Sequence, residues 1–362
     1  MESNRMTMMK AAVFVEPGRI ELVDKRIPDI GPTDALVRIT TTTICGTDIH
    51  ILKGEYPVVS GLTLGHEPIG IIEKLGSQVK GYHEGQRVLC AAVTPCGQCS
   101  SCLTGFHSQC GSESKTGWKS AGGWKVGNYL DGCQAEYFVV PDAQANLAVI
   151  PDNLSDEDVL LVPDIVSTGF SAAESADIKI GDVVVVVAQG PIGLCATSGA
   201  RLLGAGLIIA VDPSPNRLEK AKGMGADVVL NPNECDVVEE VLKLTHGIGA
   251  DVALECLGRD ETLATCVNVT RPGGVISSVG VYSKNIPIPL DGFGAGLAQK
   301  KIITSTCPGG KERMRRLLNV VSNQRVQFGH LVTHHYSLDN VVEAYEHFAS
   351  QRDGVIKIAL KP

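Results

Sequence analysis

From about Ser167 onward the chain alternates short, continuously apolar runs with helical stretches, and this alternation narrows its possible folds more than any other feature. The apolar runs read DVVVVVA (Asp182 to Ala188), LIIAVD, DVVLN, DVALECL and GGVISSVG. Between them lie GPIGLCATSGARLLGA, PNRLEKAKGMGA, VVEEVLKLTHG and DETLATCVNVT. A strand without polar alternation is buried on both faces, and strands that alternate with helices build a parallel sheet covered on both sides. The earlier part of the chain has another texture. Between Lys10 and about Ile150, β-type runs such as KAAVFVEPGRIELVD, DALVRITTTTIC, GIIEKLGSQV and CQAEYFVVP are broken by Gly and Pro, as in an irregular β domain. After about Pro308 come two helical patterns, KERMRRLLNVVSN and DNVVEAYEHFAS, and a closing strand, VIKIAL. A length of 362 residues suits two such domains.

Charge and cysteine usage then exclude several classes of function. The 32 Lys plus Arg against 40 Asp plus Glu give a formal net charge of -8 with no basic block, which argues against nucleic acid or an anionic membrane as a partner. The longest aliphatic runs, Val183 to Ala188 and Leu207 to Val211, are far too short to span a bilayer. Met1 to Met9 holds one Arg and no apolar core, so it is expected to be a disordered leader rather than a secretory signal, and the protein to be cytoplasmic. In that reducing compartment, clustered cysteines point to metal rather than to disulfides. Of the 12 cysteines, Cys96, Cys99, Cys102 and Cys110 fall within one short loop; most of the others read as small buried hydrophobes, Cys45 excepted.

Three patterns carry chemistry. The strand ending at Ala188 runs into Gln189-Gly190-Pro191-Ile192-Gly193 and a helix, which is a dinucleotide-binding turn. Gly190 lets the backbone approach a pyrophosphate, Gly193 permits close helix–strand packing, and the helix N-terminus favours negative charge. Ala188 stands where the first glycine of the usual motif would be. Asp212, at the end of LIIAVD, lies where a carboxylate accepts hydrogen bonds from the adenosine ribose and repels a 2′-phosphate. That favours NAD over NADP, although Arg217 nearby would tolerate phosphate; the bland alternative makes Asp212 a helix-start cap for PSPNRLEKA. The second pattern, Cys96-x2-Cys99-x2-Cys102-x7-Cys110, offers four soft ligands for a closed, tetrahedral, structural zinc. The third is dispersed. Cys45-Gly46-Thr47-Asp48-Ile49-His50 is followed by Gly65-His66-Glu67, and Cys45 with His66 supplies two ligands of a second zinc. The residues alone leave the third ligand open.

The string ICGTDIH, GHEPIG, the four-cysteine loop, PDIVSTGF and GPIG, in this order, resembles the zinc-containing medium-chain alcohol dehydrogenases over nearly the whole chain, from Lys10 to Lys361. Within that family, GGWKVGN followed by DGCQAEYFVVPDAQANL resembles the microbial secondary-alcohol dehydrogenases. The resemblance implies an α/β protein. It would have a GroES-like irregular β catalytic domain (residues 1–165 and 309–362) and a Rossmann domain with a doubly wound parallel sheet (166–308). It implies two Zn2+ per subunit and NAD as cofactor, with Asp164 as the third ligand beside Cys45 and His66, where liver-type members use cysteine. Further roles follow by the same resemblance. Asp48 would orient His66, Thr47 would bond the substrate oxygen, His50 would end a proton relay through the nicotinamide ribose, and Glu67 would approach the metal. Thr168 would lie near the nicotinamide, Val279 would bind the cofactor, and Trp124 would line the substrate pocket. A metal that lowers the pKa of a bound hydroxyl from about 16 toward about 7 would ready an alcohol for hydride loss.

The expected partners are a small alcohol or ketone substrate and further copies of the chain, as a homotetramer in which the GVISSVGV strand extends a sheet across a dimer interface. Three rivals remain. A sorbitol-type polyol dehydrogenase would carry glutamate as third ligand. A zinc-free quinone reductase would lack Cys45, His66 and the cysteine loop. A non-catalytic zinc- and nucleotide-binding relative would have no use for Thr47, Asp48, His50 and Glu67 together.

Overall fold

A computed structural model describes residues 8–111, 121–282, 285–288 and 296–362. The expected leader, Met1 to Met9, is corrected at Met8 and Met9. Residues 1–7 lie outside the described residues, but Met8 and Met9 already belong to a strand, Met8–Glu16, which pairs antiparallel with Arg19–Arg26. Met9 is buried with Ala11, Val13 and Leu36, so its apolar surface is held by packing. The chain divides into two units, Met1–Asp164 with Pro308–Pro362, and Ile165–Cys307.

The first unit holds a seven-stranded sheet among its described residues. Its order is Val332–Ser337, Lys357–Lys361, Ala35–Thr43, Ile69–Leu75, Arg87–Cys90 and Leu147–Val149, with Tyr137–Val140 also paired on Ala35–Thr43. The β-branched run ITTTT suits the central strand, which is buried along most of its length. The strand from the far end of the chain, Lys357–Lys361, enters the sheet beside it, with Ala359 opposite Thr43 and Leu360 opposite Thr42. Helix Val341–Ser350 buries Ala344, Tyr345 and Phe348 against Ile44, Ile51, Leu64, Ile358 and Leu360. This core carries the backbone from which the candidate site projects.

Among its described residues the second unit is a parallel six-stranded sheet in the order Val228–Leu230, Leu207–Val211, Val183–Val187, Ala250–Glu255, Thr270–Ser278 and Lys301–Thr304. Its inner strands are buried as their unbroken apolar runs require; Val184, Val185, Val186, Ile208, Ile209, Ala253 and Leu254 have no exposed surface. Helices Val237–Leu244 and Asp260–Val269 cover Val185, Ile209, Ala253 and Ile276 with Val241, Leu263 and Val267. The strand order reverses between Val183–Val187 and Ala250–Glu255, the switch point at whose carboxyl end ligands bind in sheets of this kind. One expectation is corrected here. GVISSVGV cannot extend the sheet to a partner, because Lys301–Thr304 pairs along Val275–Ser278 and forms the edge itself. That edge strand, KIIT, is too short for its sequence pattern to announce it.

Candidate active site and metal centres

Three segments of the first unit bring donor atoms together. Cys45 ends the central-strand segment and is the N-cap of helix Gly46–Leu52; Asp48, three residues on, accepts from the Cys45 N–H at 2.9 Å and closes that helix start. His66 and Glu67 lie just before strand Ile69–Leu75 and are buried. Asp164 lies within a π-helical turn, Val162–Val166, which leads into helix Ser167–Ser175. Such single π turns recur at functional sites because the extra residue re-aims a side chain. Asp164 does not cap this helix, whose N-cap is Val166, with no side-chain cap bond.

The resulting distances fit a metal. Asp164 Oδ2 is 3.5 Å from Cys45 Sγ and 3.5 Å from His66 Nε2. Ligand bonds of usual zinc length in a tetrahedron give edges of about 3.6 Å for sulfur to oxygen and about 3.4 Å for nitrogen to oxygen. A Glu67 oxygen joins them, the four donor atoms all lying within 4.8 Å of one another. Charge points the same way. Asp48, Glu67 and Asp164 surround Cys45 and His66, and the Lys357 ammonium, fully buried, meets them from strand Lys357–Lys361, 2.5 Å from Glu67 Oε2 and 3.2 Å from the Ile44 carbonyl. Burial pushes the Cys45 thiol and the Glu67 carboxyl up, with Lys357 pulling both back. Burial acts to lower the His66 imidazole, yet Asp48, Cys45 and Asp164 hold it well above its ordinary value. A pocket that draws a proton onto a buried histidine has room in its field for a cation. Glu67 Oε1, Asp48 Oδ1 and His66 Nδ1 have no hydrogen-bond partner among the described residues.

Around these donors stand the other expected residues. Thr47 Oγ1 is 3.7 Å from Cys45 Sγ. His66 Nδ1 faces Asp48 Oδ1 at 3.6 Å. His50, on the same helix with its side chain partly exposed, bonds Glu55 through Nδ1, a partner that the sequence did not suggest. Trp124 packs edge-on to His66 (6.3 Å between ring centroids) and to Tyr56 (5.8 Å), giving the pocket an aromatic wall. Lys357 was also invisible in the sequence, where VIKIAL reads as a plain strand.

The four loop cysteines converge as well. Cys99 and Cys102 sulfurs are 3.4 Å apart and Cys96 and Cys102 sulfurs 3.9 Å, against about 3.8 Å for the edge of a zinc–thiolate tetrahedron. Burial opposes ionisation of Cys99, but the N–H groups of Gly111 and Cys102 bring its thiol down to about 6; burial pushes Cys110 up. Four thiols at this spacing, one already inclined to thiolate, form a donor set that fits a closed zinc site.

In the second unit the dinucleotide turn is built as its glycines require. A Cβ on Gly193 would lie 1.8 Å from the Ala188 carbonyl oxygen, whereas one on Gly190 would meet nothing within 4 Å. Gly190 caps helix Pro191–Leu203, with Pro191 at the first turn. Ala188, in the place of the usual first glycine, adopts φ +73°, a left-handed backbone that its Cβ makes costly. Ile192 follows in that helix. Asp212 is buried and accepts from the Gln189 N–H at 2.7 Å and the Ser214 N–H at 2.8 Å, so it anchors the turn; the helix cap of Pro215–Gly223 is Ser214. Arg217 Nη1 lies 4.0 Å from Asp212. Thr168 is buried in helix Ser167–Ser175, and Val279 follows strand Thr270–Ser278 with its N–H on the Glu255 carbonyl. Glu255 itself was missed. Its buried carboxylate accepts from Leu257 N–H, Gly258 N–H and the Thr262, Ser278 and Tyr282 hydroxyls, fixing two loops at the carboxyl end of the sheet.

Known proteins of two kinds match the chain. The zinc-binding dehydrogenase family matches residues 191–323, and the alcohol dehydrogenase GroES-like domain matches residues 31–152. An alcohol dehydrogenase of Cupriavidus necator is 63% identical over 362 residues, covering 98% of this chain and 99% of its own. The NADP-dependent isopropanol dehydrogenase of Thermoanaerobacter brockii is 37% identical over 93% of this chain and 95% of its own. Among solved structures, the alcohol dehydrogenase TADH from Thermus sp. ATN1 superposes with a TM-score of 0.87 at 31% identity, covering 98% of this chain and 99% of its own.

Proposed function

The chain belongs to the zinc-containing medium-chain alcohol dehydrogenases, with a GroES-like domain and a Rossmann-type nucleotide-binding domain, and from that membership we propose that it interconverts small secondary alcohols and ketones with NAD, holding its reactive zinc at Cys45, His66 and Asp164. It is an alcohol dehydrogenase by family; the substrate range, the cofactor and the residue roles are this reading's additions. The observation that carries it is the meeting of one sulfur, one imidazole nitrogen and one carboxylate oxygen at tetrahedral edge distances.

Zinc held there supplies Lewis acidity, which makes a bound alcohol more acidic and a bound carbonyl more electrophilic. The chain's own groups do the rest. Thr47, beside Cys45, holds the substrate hydroxyl in position. His50, partly exposed and bonded to Glu55 through Nδ1, keeps Nε2 free to pass a proton to solvent. Asp48 holds the Nδ1 side of His66, and Lys357 holds Oε2 of Glu67, whose carboxylate also offers an oxygen to the donor group. Trp124 and Tyr56 limit the pocket to small apolar substituents. The four cysteines of the loop at 96–110 would hold a second, structural zinc. For the cofactor, the buried Asp212 carboxylate disfavours a 2′-phosphate, and Gly190 leaves open backbone for a pyrophosphate. NAD is therefore the proposed partner, whereas the Thermoanaerobacter relative is NADP-dependent by name. Among the described residues no helix is long and apolar enough to cross a membrane; a cytoplasmic homotetramer is proposed.

The test is turnover of 2-propanol and a panel of primary, secondary and polyhydric alcohols with NAD and with NADP, before and after chelation. Chelator-sensitive, NAD-preferring oxidation of secondary alcohols is expected. Equal rates with and without chelator, or a preference for polyols, would overturn the reading.

A further inference from the structure

A buried chain of hydrogen bonds runs from helix Val341–Ser350 to Asp48, which faces the imidazole of His66, and its directions are fixed by groups that can only accept or only donate. The Thr43 carbonyl, an acceptor only, lies 3.1 Å from Gln134 Nε2. The Gln134 amide must therefore turn its NH2 toward Thr43 and its oxygen the other way, where the Tyr345 hydroxyl donates to Oε1 at 2.8 Å. The second hydrogen of that NH2 goes to Asp48 Oδ2 at 3.2 Å, which also accepts from the Cys45 N–H. With Oδ2 engaged by these two donors, Oδ1 is the oxygen left to accept from His66. Oδ1 faces His66 Nδ1 at 3.6 Å, and neither atom has a hydrogen-bond partner among the described residues. A small turn of the imidazole closes that gap with a proton on Nδ1, which leaves the lone pair on Nε2, the nitrogen beside Asp164 and Cys45.

We propose that Gln134, locked by Tyr345 and the Thr43 carbonyl, is a positioning residue that sets the tautomer of His66 through Asp48 and so selects Nε2 as the metal-binding nitrogen. The inference rests on the reading of Cys45, His66 and Asp164 as a zinc site. Packing adds to it. Gln134 N–H donates to the Leu64 carbonyl and Cys133 N–H to that of Gly65, so the segment bearing Gln134 is laced to the residues just before His66. Gly65, at φ +91°, has no room for a side chain: a Cβ would lie 2.6 Å from Gln134 Cγ. Tyr345 and Gln134 are fully buried, so water does not compete for the chain.

The measurement is the zinc affinity of each site, by chelator competition on purified full-length protein, with the four-cysteine zinc as internal reference. Gln134→Met keeps the bulk and removes the donor and acceptor. It should weaken the Cys45 site by about 10–100-fold, the usual effect of removing a partner of a metal-bound histidine, and leave the cysteine-loop site unchanged. Tyr345→Phe should weaken it less, because Thr43 still orients the amide. Gln134→Glu matches Gln134 in shape but turns an acceptor toward Thr43 and Asp48; it should bind zinc no better than Gln134→Met, the reverse of the order that space-filling alone would give. Wild-type affinity in Gln134→Met, or Gln134→Glu outperforming it, overturns the inference while leaving the zinc site standing. A Cys45→Ser variant that keeps the full zinc content and affinity of wild type overturns the zinc site itself.

Discussion

Replacing Lys357 with Met would remove the ammonium that faces Glu67 while keeping most of the side chain's length. The size of the effect follows from the geometry. At 2.5 Å, with both side chains only 1% exposed, two unit charges attract by about 7 kcal/mol at an effective dielectric of 20. Against this stands a desolvation cost of several kcal/mol for each buried ion. The intact pair is then near balance, whereas the single variant keeps the burial of Glu67 and loses the attraction. A loss of about 3–5 kcal/mol is expected in zinc-free protein. At about 2–4 °C per kcal/mol for a domain of this size, Tm should fall by about 6–20 °C. A bound cation faces the same carboxylate, so the drop should be smaller in zinc-loaded protein. Lys357→Met combined with Glu67→Gln should regain much of the loss, because no buried charge is then left unpaired. Thermal unfolding of wild type, Lys357→Met and the double variant, zinc-loaded and chelator-treated, measures all of this. A zinc-free Lys357→Met that melts within about 2 °C of wild type, where 3 kcal/mol predicts at least about 6 °C, would refute the reasoning.

Other substitutions read the metals and the cofactor. Asp164→Ala should release the Cys45–His66 zinc and cost orders of magnitude in turnover while the four-cysteine zinc stays, checked by elemental analysis and rate; Asp164→Cys should keep part of the metal. Cys99→Ser should lower zinc to one per subunit and reduce Tm, because structural zinc contributes folding free energy; unchanged melting would count against a filled loop. Asp212→Gly should weaken NAD relative to NADP in KM. It should also destabilise the second unit, since the Gln189 and Ser214 N–H groups lose their charged acceptor, at about 1–3 kcal/mol for such a loss. Gly193→Ala should abolish nucleotide binding measured by fluorescence titration, because its Cβ meets the Ala188 oxygen.

Much of this was legible in the sequence where chemistry forces residue types into short spacing. The cysteine loop and the pair Cys45 and His66 announce themselves because few other jobs need such ligands so arranged. The parallel sheet was legible because strands buried on both faces cannot alternate. Asp164 was reached only through resemblance, since nothing in VPDIV signals a π turn that aims the carboxylate. Lys357 was hidden by its neighbours. Ile356, Lys357 and Ile358 are all buried, so the two-residue alternation that would place the lysine on a wet face does not operate in this strand. Gln134 and Tyr345 are 211 residues apart, and their partnership exists only in the folded core. Asp212 was placed correctly at the strand end, but its hold on Gln189 depends on a loop approach that spacing does not specify.

The insertion of Lys357–Lys361 into the middle of the first unit's sheet also orders events during synthesis. The ammonium and the carboxylate that it neutralises are 290 residues apart. Ile165–Cys307 is one continuous stretch, and its parallel sheet can close as soon as it has left the ribosome. The strand Ala35–Thr43 cannot be completed, because the neighbour that will pair with its end at Thr42 and Thr43 is still unmade. At about 5–20 residues per second, the wait from Asp164 to Lys357 lasts roughly 10–40 s. For that interval the nascent chain carries an unpaired strand edge, a template for wrong partners, beside a buried acid that lacks its counter-charge. The half of the protein translated first is therefore the half that matures last, and it is during this wait that the nascent chain is most in need of a chaperone.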